Sequence, residues 1–185
     1  PNTHDWVTSA LGVLYAGATL VPINTRFTTA ETLDVINRSG ARGLFVAGEF
    51  LGVDREADLL EADVTLASRV RIYRMPMEWP EATFESQAEP DDVADILYTS
   101  GTTGRSKGAM SAHRQSLAAA RAWVARTELS SADRYLIVNP FFHSFGYTVT
   151  LWLPVLLGAS VVYYPDPRQA KDIGDASREF KCTIY

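Results

Sequence analysis

Short apolar runs of strand length alternate with helical segments along the whole chain, and this rhythm constrains the fold more than any other feature. Residues 44–47, 93–99, 135–139 and 159–164 read as strands, with weaker candidates at 18–24, 70–73 and 183–185. Between them lie helical patterns. Trp6, Val7, Ala10, Leu11 and Leu14 recur at helical spacing over about 4 to 16, and Gly17 sits where a C-terminal glycine belongs. Thr28 and Glu31 have capping-box spacing and open a second helix that Gly40 ends. Further helices are expected over 114–126, 147–157 and about 168–180. Parallel strands need a crossover, and a helical crossover covers the sheet face, so the expected fold class is α/β, built of βαβ units with mostly parallel sheets.

Composition limits the alternatives. The chain has 185 residues, 46% apolar and 21% charged, with 17 Lys+Arg against 22 Asp+Glu and a net charge of −5. Disordered, collagenous and disulfide-framework chains are excluded. One cysteine, Cys182, cannot pair within the chain, which makes the cytoplasm the default compartment. The acidic balance argues against a nucleic-acid partner. The apolar stretch 149–164 is divided by Pro154 and Gly158 into pieces too short to span a bilayer. No signal-peptide pattern opens the sequence. Acidic residues gather at 78–95 and basic ones at 105–134; the second group reads first as a solvated helix face. The Pro-containing acidic stretch 75–92 is the expected surface linker.

The chemistry is concentrated in Tyr98-Thr-Ser-Gly-Thr-Thr-Gly-Arg-Ser-Lys-Gly108, directly after an expected strand and, by this reading, before a helix. Glycines let the backbone turn and approach a ligand closely, so that successive amides can converge on one anion. Hydroxyls on Thr99, Ser100, Thr102 and Thr103 add donors, and Lys107 supplies a point charge. These ingredients suit a polyphosphate. A flexible linker would not need the lysine. A Walker loop needs glycine before the lysine and a hydroxyl after it, whereas Ser106 and Gly108 flank Lys107 here.

This segment closely resembles the phosphate-binding signature of the adenylate-forming (AMP-binding) enzymes, a superfamily that includes acyl-CoA synthetases, luciferases and peptide-synthetase adenylation domains. Leu14-Tyr-Ala-Gly-Ala-Thr-Leu-Val-Pro-Ile-Asn24 is similar to the family's helix-to-strand segment, and Asn139-Pro-Phe-Phe-His-Ser-Phe-Gly146 resembles its second core motif. Three motifs in family order cover nearly the whole chain. The resemblance implies a slice of the large N-terminal domain. Residues 1–128 would form a partial α/β subdomain ending with the phosphate loop, and 129–185 the start of a second. The adenine site, the ribose aspartate, the Mg-binding glutamate and the mobile C-terminal domain would lie elsewhere in a longer protein, and the 185 residues alone would be inactive.

The implied reaction is ATP-dependent activation of a carboxylic acid, fatty or otherwise hydrophobic, through an acyl-adenylate, then thioester formation with coenzyme A. Carried over position by position, Thr99, Ser100, Gly101, Thr102, Thr103 and Gly104 bind the ATP phosphates, Thr99 reaches Mg²⁺, and Lys107 neutralises phosphate oxygens. His143, with Gly146, faces the carboxylate end of the acyl pocket; read without the motif, His143 beside Phe142 and Phe145 would be a satisfied core imidazole. His113 opens a helix and is read as structural. Ser106 stands where the family often has proline, which bears on the stiffness of the loop. The flanking residues look like the fatty-acid CoA ligases of actinobacteria, among them ligases for steroid-derived propionates, and equally like acyl-carrier-protein synthetases. Three function classes are implied: a carboxylate-CoA ligase, a carrier-protein loader or luciferase-like relative, and a non-catalytic nucleotide-binding module. Acyl identity, oligomeric state and peripheral membrane contact are left open.

Overall fold

The computed structural model describes residues 1–79, 81–99, 106–164 and 170–184. Helix α1 (His4–Tyr15) starts at Thr3, whose side chain accepts from the Trp6 amide. Helix α2 (Thr29–Ser39) carries the full capping box, Thr28 with Glu31, and ends on Gly40 at φ 65°, a left-handed conformation that a Cβ would strain. The strand expected at 18–24 reduces to a single parallel bridge, Leu20 to Asp95, because Pro22 cannot donate to a ladder.

Strand β1 (Gly43–Ala47) pairs in parallel with β4 (Arg71–Met75). The connection between them holds a small antiparallel hairpin, β2 (Glu49–Phe50) with β3 (Val53–Asp54), and helices α3 (Arg55–Ala62) and α4 (Leu66–Arg69), none of which the apolar rhythm announced. Ile36, Leu59, Leu66 and Val70 form the buried cluster that holds α2, α3 and α4 together. The described part of 76–92 has no helix or strand, as expected of a surface connection.

Strand β5 (Val93–Thr99) leads into the phosphate loop, beyond which a helix is expected. The structure has another strand there instead, β6 (Lys107–Ala112), antiparallel to β5, and only then α5 (His113–Val124). The loop therefore joins two strands of a hairpin. Lys107-Gly-Ala-Met-Ser-Ala112 holds no β-branched or aromatic residue and is largely exposed, so neither propensity nor alternation marks it.

Strand β7 (Arg134–Ile137) pairs in parallel with β8 (Ser160–Tyr163), and Ile184 bridges the other side of Tyr135. The helix expected over 147–157 is broken into a π-turn (Phe145–Val149) and a short α6 (Trp152–Leu157) that ends on Gly158 at φ 66°. Helix α7 (Ala170–Glu179) comes last. The main core joins Val7, Leu97, Tyr135, Ile137, Phe141, Tyr147, Leu151, Trp152 and Leu153. The fold is α/β, with two parallel and two antiparallel strand pairs among the described residues. None of the described helices is long and apolar enough to cross a membrane.

Candidate active site

The β5–β6 hairpin ends with Thr99 directly opposite Lys107, both exposed. Cross-strand partners project to the same face of a sheet, so the hydroxyl and the ammonium stand side by side. The expected phosphate ligands Ser100, Gly101, Thr102, Thr103 and Gly104 lie outside the described residues.

The two faces of this hairpin have different partners. Asp95 and Leu97 share the face of Thr99 and pack toward the core; both are buried. Ile96 and Tyr98 project the other way. A Cβ added to Gly108 would stand 2.8 Å from Ile96 Cγ2 and 3.2 Å from Tyr98 Cζ, so only glycine fits beneath the Tyr98 ring. Over that ring sits the Arg38 guanidinium of α2, 5.0 Å from the centroid.

The second motif lies at the start of the π-turn. His143 is exposed in this chain rather than packed among core residues. Its Nδ1 accepts from the Phe145 amide at 3.3 Å, so the proton resides on Nε2 and an N–H donor faces outward. The Tyr147 amide donates to the His143 carbonyl at 2.8 Å, and the Thr150 amide reaches back five residues to Phe145 at 3.1 Å. Single π-turns of this kind recur at functional sites. Gly146 is buried, and a Cβ there would fall 2.1 Å from the Pro140 carbonyl oxygen. Its missing side chain lets the turn close against Asn139–Pro140.

Two supports for this segment carry no local sequence signal. Asn2 is buried and grips both sides of Pro140: its Nδ2 donates to the Asn139 carbonyl at 2.9 Å and its Oδ1 accepts from the Phe141 amide at 3.1 Å. Trp6 of α1 packs on Phe141 with centroids 4.8 Å apart, and Tyr147 meets Trp152 edge-on at 5.3 Å. No periodicity signals an asparagine that works across 137 residues of sequence.

Asp95 belongs by sequence to the acidic run 78–95, yet it is 1% exposed. Ser116 of α5 donates to its Oδ2 at 3.3 Å, while Oδ1 has no hydrogen-bond partner among the described residues. Burial pushes its carboxyl above the usual range, against the opposing pull of the Ser116, Tyr147 and Ser111 hydroxyls and of His113. The same burial, with the Asp95 charge, pushes the Tyr147 phenol up. His113 is the first residue of α5, and its Nε2 is buried without a partner among the described residues. Asp95 thus lies between the hairpin, α5 and the π-turn. A signal was present: one carboxylate inside Val93-Ala-Asp-Ile-Leu-Tyr98, an otherwise apolar strand.

Residues 1–185 match the AMP-binding enzyme family. The chain is 46% identical, in an alignment that covers 88% of its length, to the 3-[(3aS,4S,7aS)-7a-methyl-1,5-dioxo-octahydro-1H-inden-4-yl]propanoyl:CoA ligase of Rhodococcus jostii. It is 43% identical, over 88% of its length, to the ligase of the same name from Mycobacterium tuberculosis. It spans about a third of each relative, 36% and 35% respectively. Among solved structures, the anthranilate CoA ligase AuaEII in complex with anthranoyl-AMP superposes with a TM-score of 0.84 at 28% identity, covering 99% of this chain and 38% of that one. The fold also matches the N-terminal domain of FACL13 from Mycobacterium tuberculosis, with a TM-score of 0.82 at 24% identity, covering 98% of this chain and 46% of that one. The β5–β6 hairpin and the His143 turn thus belong to a chain that is a member of the AMP-binding enzyme family.

Proposed function

We propose that the protein to which this chain belongs is an AMP-forming acid-CoA ligase, and that Lys107, Thr99 and His143 are among its working residues. The observation that carries this reading is the pairing of Thr99 with Lys107 at the loop end of the hairpin. A carboxylate oxygen attacks the α-phosphorus of ATP, the bond to the β-phosphate oxygen breaks, and pyrophosphate leaves. The thiol sulfur of coenzyme A then attacks the acyl carbon, AMP leaves with the bonding pair, and the thiol proton passes to solvent. Lys107 neutralises charge on the departing phosphates, with Ser100, Gly101, Thr102, Thr103 and Gly104 as further phosphate ligands. The outward Nε2–H of His143 donates to the substrate carboxylate and orients it, and Gly146 keeps the turn that carries His143 in shape. A Mg²⁺ ion bound with the ATP would supply further charge neutralisation. Among the described residues no group of three or more His, Cys, Asp and Glu could hold a metal alone, and a single Thr99 hydroxyl suits a Mg²⁺ ion that arrives on the ATP phosphates.

For the acid, a ring-bearing propanoate is the better reading than a linear fatty acid. Its support is the name shared by the two relatives at 46% and 43% identity. Phe145, 45% exposed on the turn beside His143, offers an apolar surface next to the carboxylate donor.

The intact protein with Mg-ATP should release pyrophosphate in proportion to added ring-bearing propanoic acid and form its CoA thioester. Lys107→Ala should lower that rate about 10²-fold or more. ATP binding without carboxylate-dependent pyrophosphate exchange would instead establish a non-catalytic nucleotide-binding module. An acyl-adenylate consumed by a carrier protein and not by coenzyme A would establish a carrier-protein loader.

A further inference from the structure

Arg38 joins α2 to strand β5 and to the residue that directly precedes β6. Its Nε donates to Asp34 Oδ2 at 2.8 Å, one turn back on the same helix, which orients the guanidinium. One terminal nitrogen, Nη2, donates twice to the far end of the loop, to the Ser106 carbonyl at 3.0 Å and to Ser106 Oγ at 2.8 Å. The guanidinium carbon lies 5.0 Å from the centroid of Tyr98, on the near strand. Ser106 directly precedes Lys107, and Tyr98 directly precedes Thr99. One cation therefore touches the neighbours of both paired residues at the loop end of the hairpin.

The side from which Arg38 acts separates it from a phosphate ligand. Successive strand residues project to opposite faces, so Tyr98, with Arg38 stacked on it, points away from the face shared by Thr99 and Lys107. The helix that carries Arg38 is itself fixed, with a capping box at one end, a left-handed glycine at the other, and Val35 and Ile36 each 1% exposed.

We infer that Arg38 is a positioning residue for the phosphate site. It braces the hairpin from behind and sets the cross-strand geometry of Thr99 and Lys107 through Ser106 and Tyr98. Ser106, held at both its carbonyl and its hydroxyl by Arg38, is restrained directly before Lys107. The inference rests on the proposed ATP site at Lys107.

The test uses the full-length protein and Mg-ATP as probe, with binding followed by equilibrium dialysis in the absence of any acid. Arg38→Ala should weaken ATP binding about five- to tenfold, the size of one or two lost hydrogen bonds to a charged donor at a partly exposed site. It should raise KM for ATP in parallel and leave KM for the acid within about twofold. Ser106→Ala should give a smaller loss in the same direction, and the double variant should be no worse than Arg38→Ala alone. An unchanged ATP affinity in Arg38→Ala, alongside a clear loss in Lys107→Ala, would overturn the inference and leave the phosphate site standing. Independent, multiplying effects of Arg38→Ala and Ser106→Ala would overturn it as well. No loss in Lys107→Ala either would overturn both the inference and the ATP site on which it rests.

Discussion

Gly146 shows how one absent side chain sets the position of another. A Cβ at this residue would approach the Pro140 carbonyl oxygen to 2.1 Å and the Asn139 carbonyl oxygen to 2.9 Å, and both are backbone atoms of the segment that Asn2 holds. Neither can yield cheaply. Gly146→Ala should therefore push the π-turn outward, with about 1–3 kcal/mol lost in urea unfolding, the usual cost of forcing extra volume into a packed site. Because His143 leads into that turn, acid KM in the full-length protein should rise more than ATP KM. Asn2→Ala probes the same segment from the other side. It leaves the Phe141 amide without the buried partner it has now, at a cost of about 1–3 kcal/mol.

Helix α2 is the element on which local sequence and observed structure agree most fully. Thr28 and Glu31 cap it, Gly40 ends it, and all three roles are readable because capping is a matter of spacing within one turn. Thr28→Ala should cost about 1 kcal/mol in chemical denaturation. Strand β6 stands at the opposite limit. Its small residues carry no strand signal, and it exists because its backbone completes the ladder of β5 and its glycine fits under Tyr98. The break in the 147–157 helix is hidden for a related reason: the apolar spacing is helical, but the clash that a Cβ at Gly146 would meet is set by Pro140, which local periodicity does not register. Motif spacing singles out Thr99, Lys107 and His143 as the candidate site, since chemistry fixes which residue types must stand together. Of the residues around them, Asn2 and Arg38 act through contacts 137 and 68 positions apart, beyond the reach of any local pattern, whereas Asp95 stands out locally as the one carboxylate of an apolar strand.

Across the whole molecule, titration of two kinds of carboxylate should pull stability in opposite directions. Asp54 is held down to about 2, first by its hydrogen bond with Arg74, and Asp63, Asp133 and Glu31 are also held below their ordinary values by hydrogen bonds. Each favours the fold above the ordinary carboxylate range and loses that contribution as pH falls toward its depressed value. Asp95 has the reverse sign. Burial raises its pKa, so the native state holds this proton more tightly than the unfolded chain does, and its contribution to stability falls as pH rises from the ordinary carboxylate range through the raised value. Ser116 on α5, Ser111 on β6, Tyr147 on the π-turn and His113 surround the carboxylate and offset part of that loss. Asp95→Asn should abolish this component: its oxygen keeps the Ser116 bond, and its amide can donate toward the Tyr147 or Ser111 hydroxyl. In urea unfolding, the variant should gain about 1 kcal/mol on the wild type at pH 7, the lower end of the cost of a buried polar atom left without a partner. The gain should shrink toward zero as pH falls below the ordinary carboxylate range, where Asp95 is protonated in both states. A variant less stable than wild type at pH 7 would mean that Asp95 is held ionised in the fold by its neighbours and ties the hairpin to the π-turn as a charge, and a gain independent of pH would mean that its pKa is the same in the fold and in the unfolded chain.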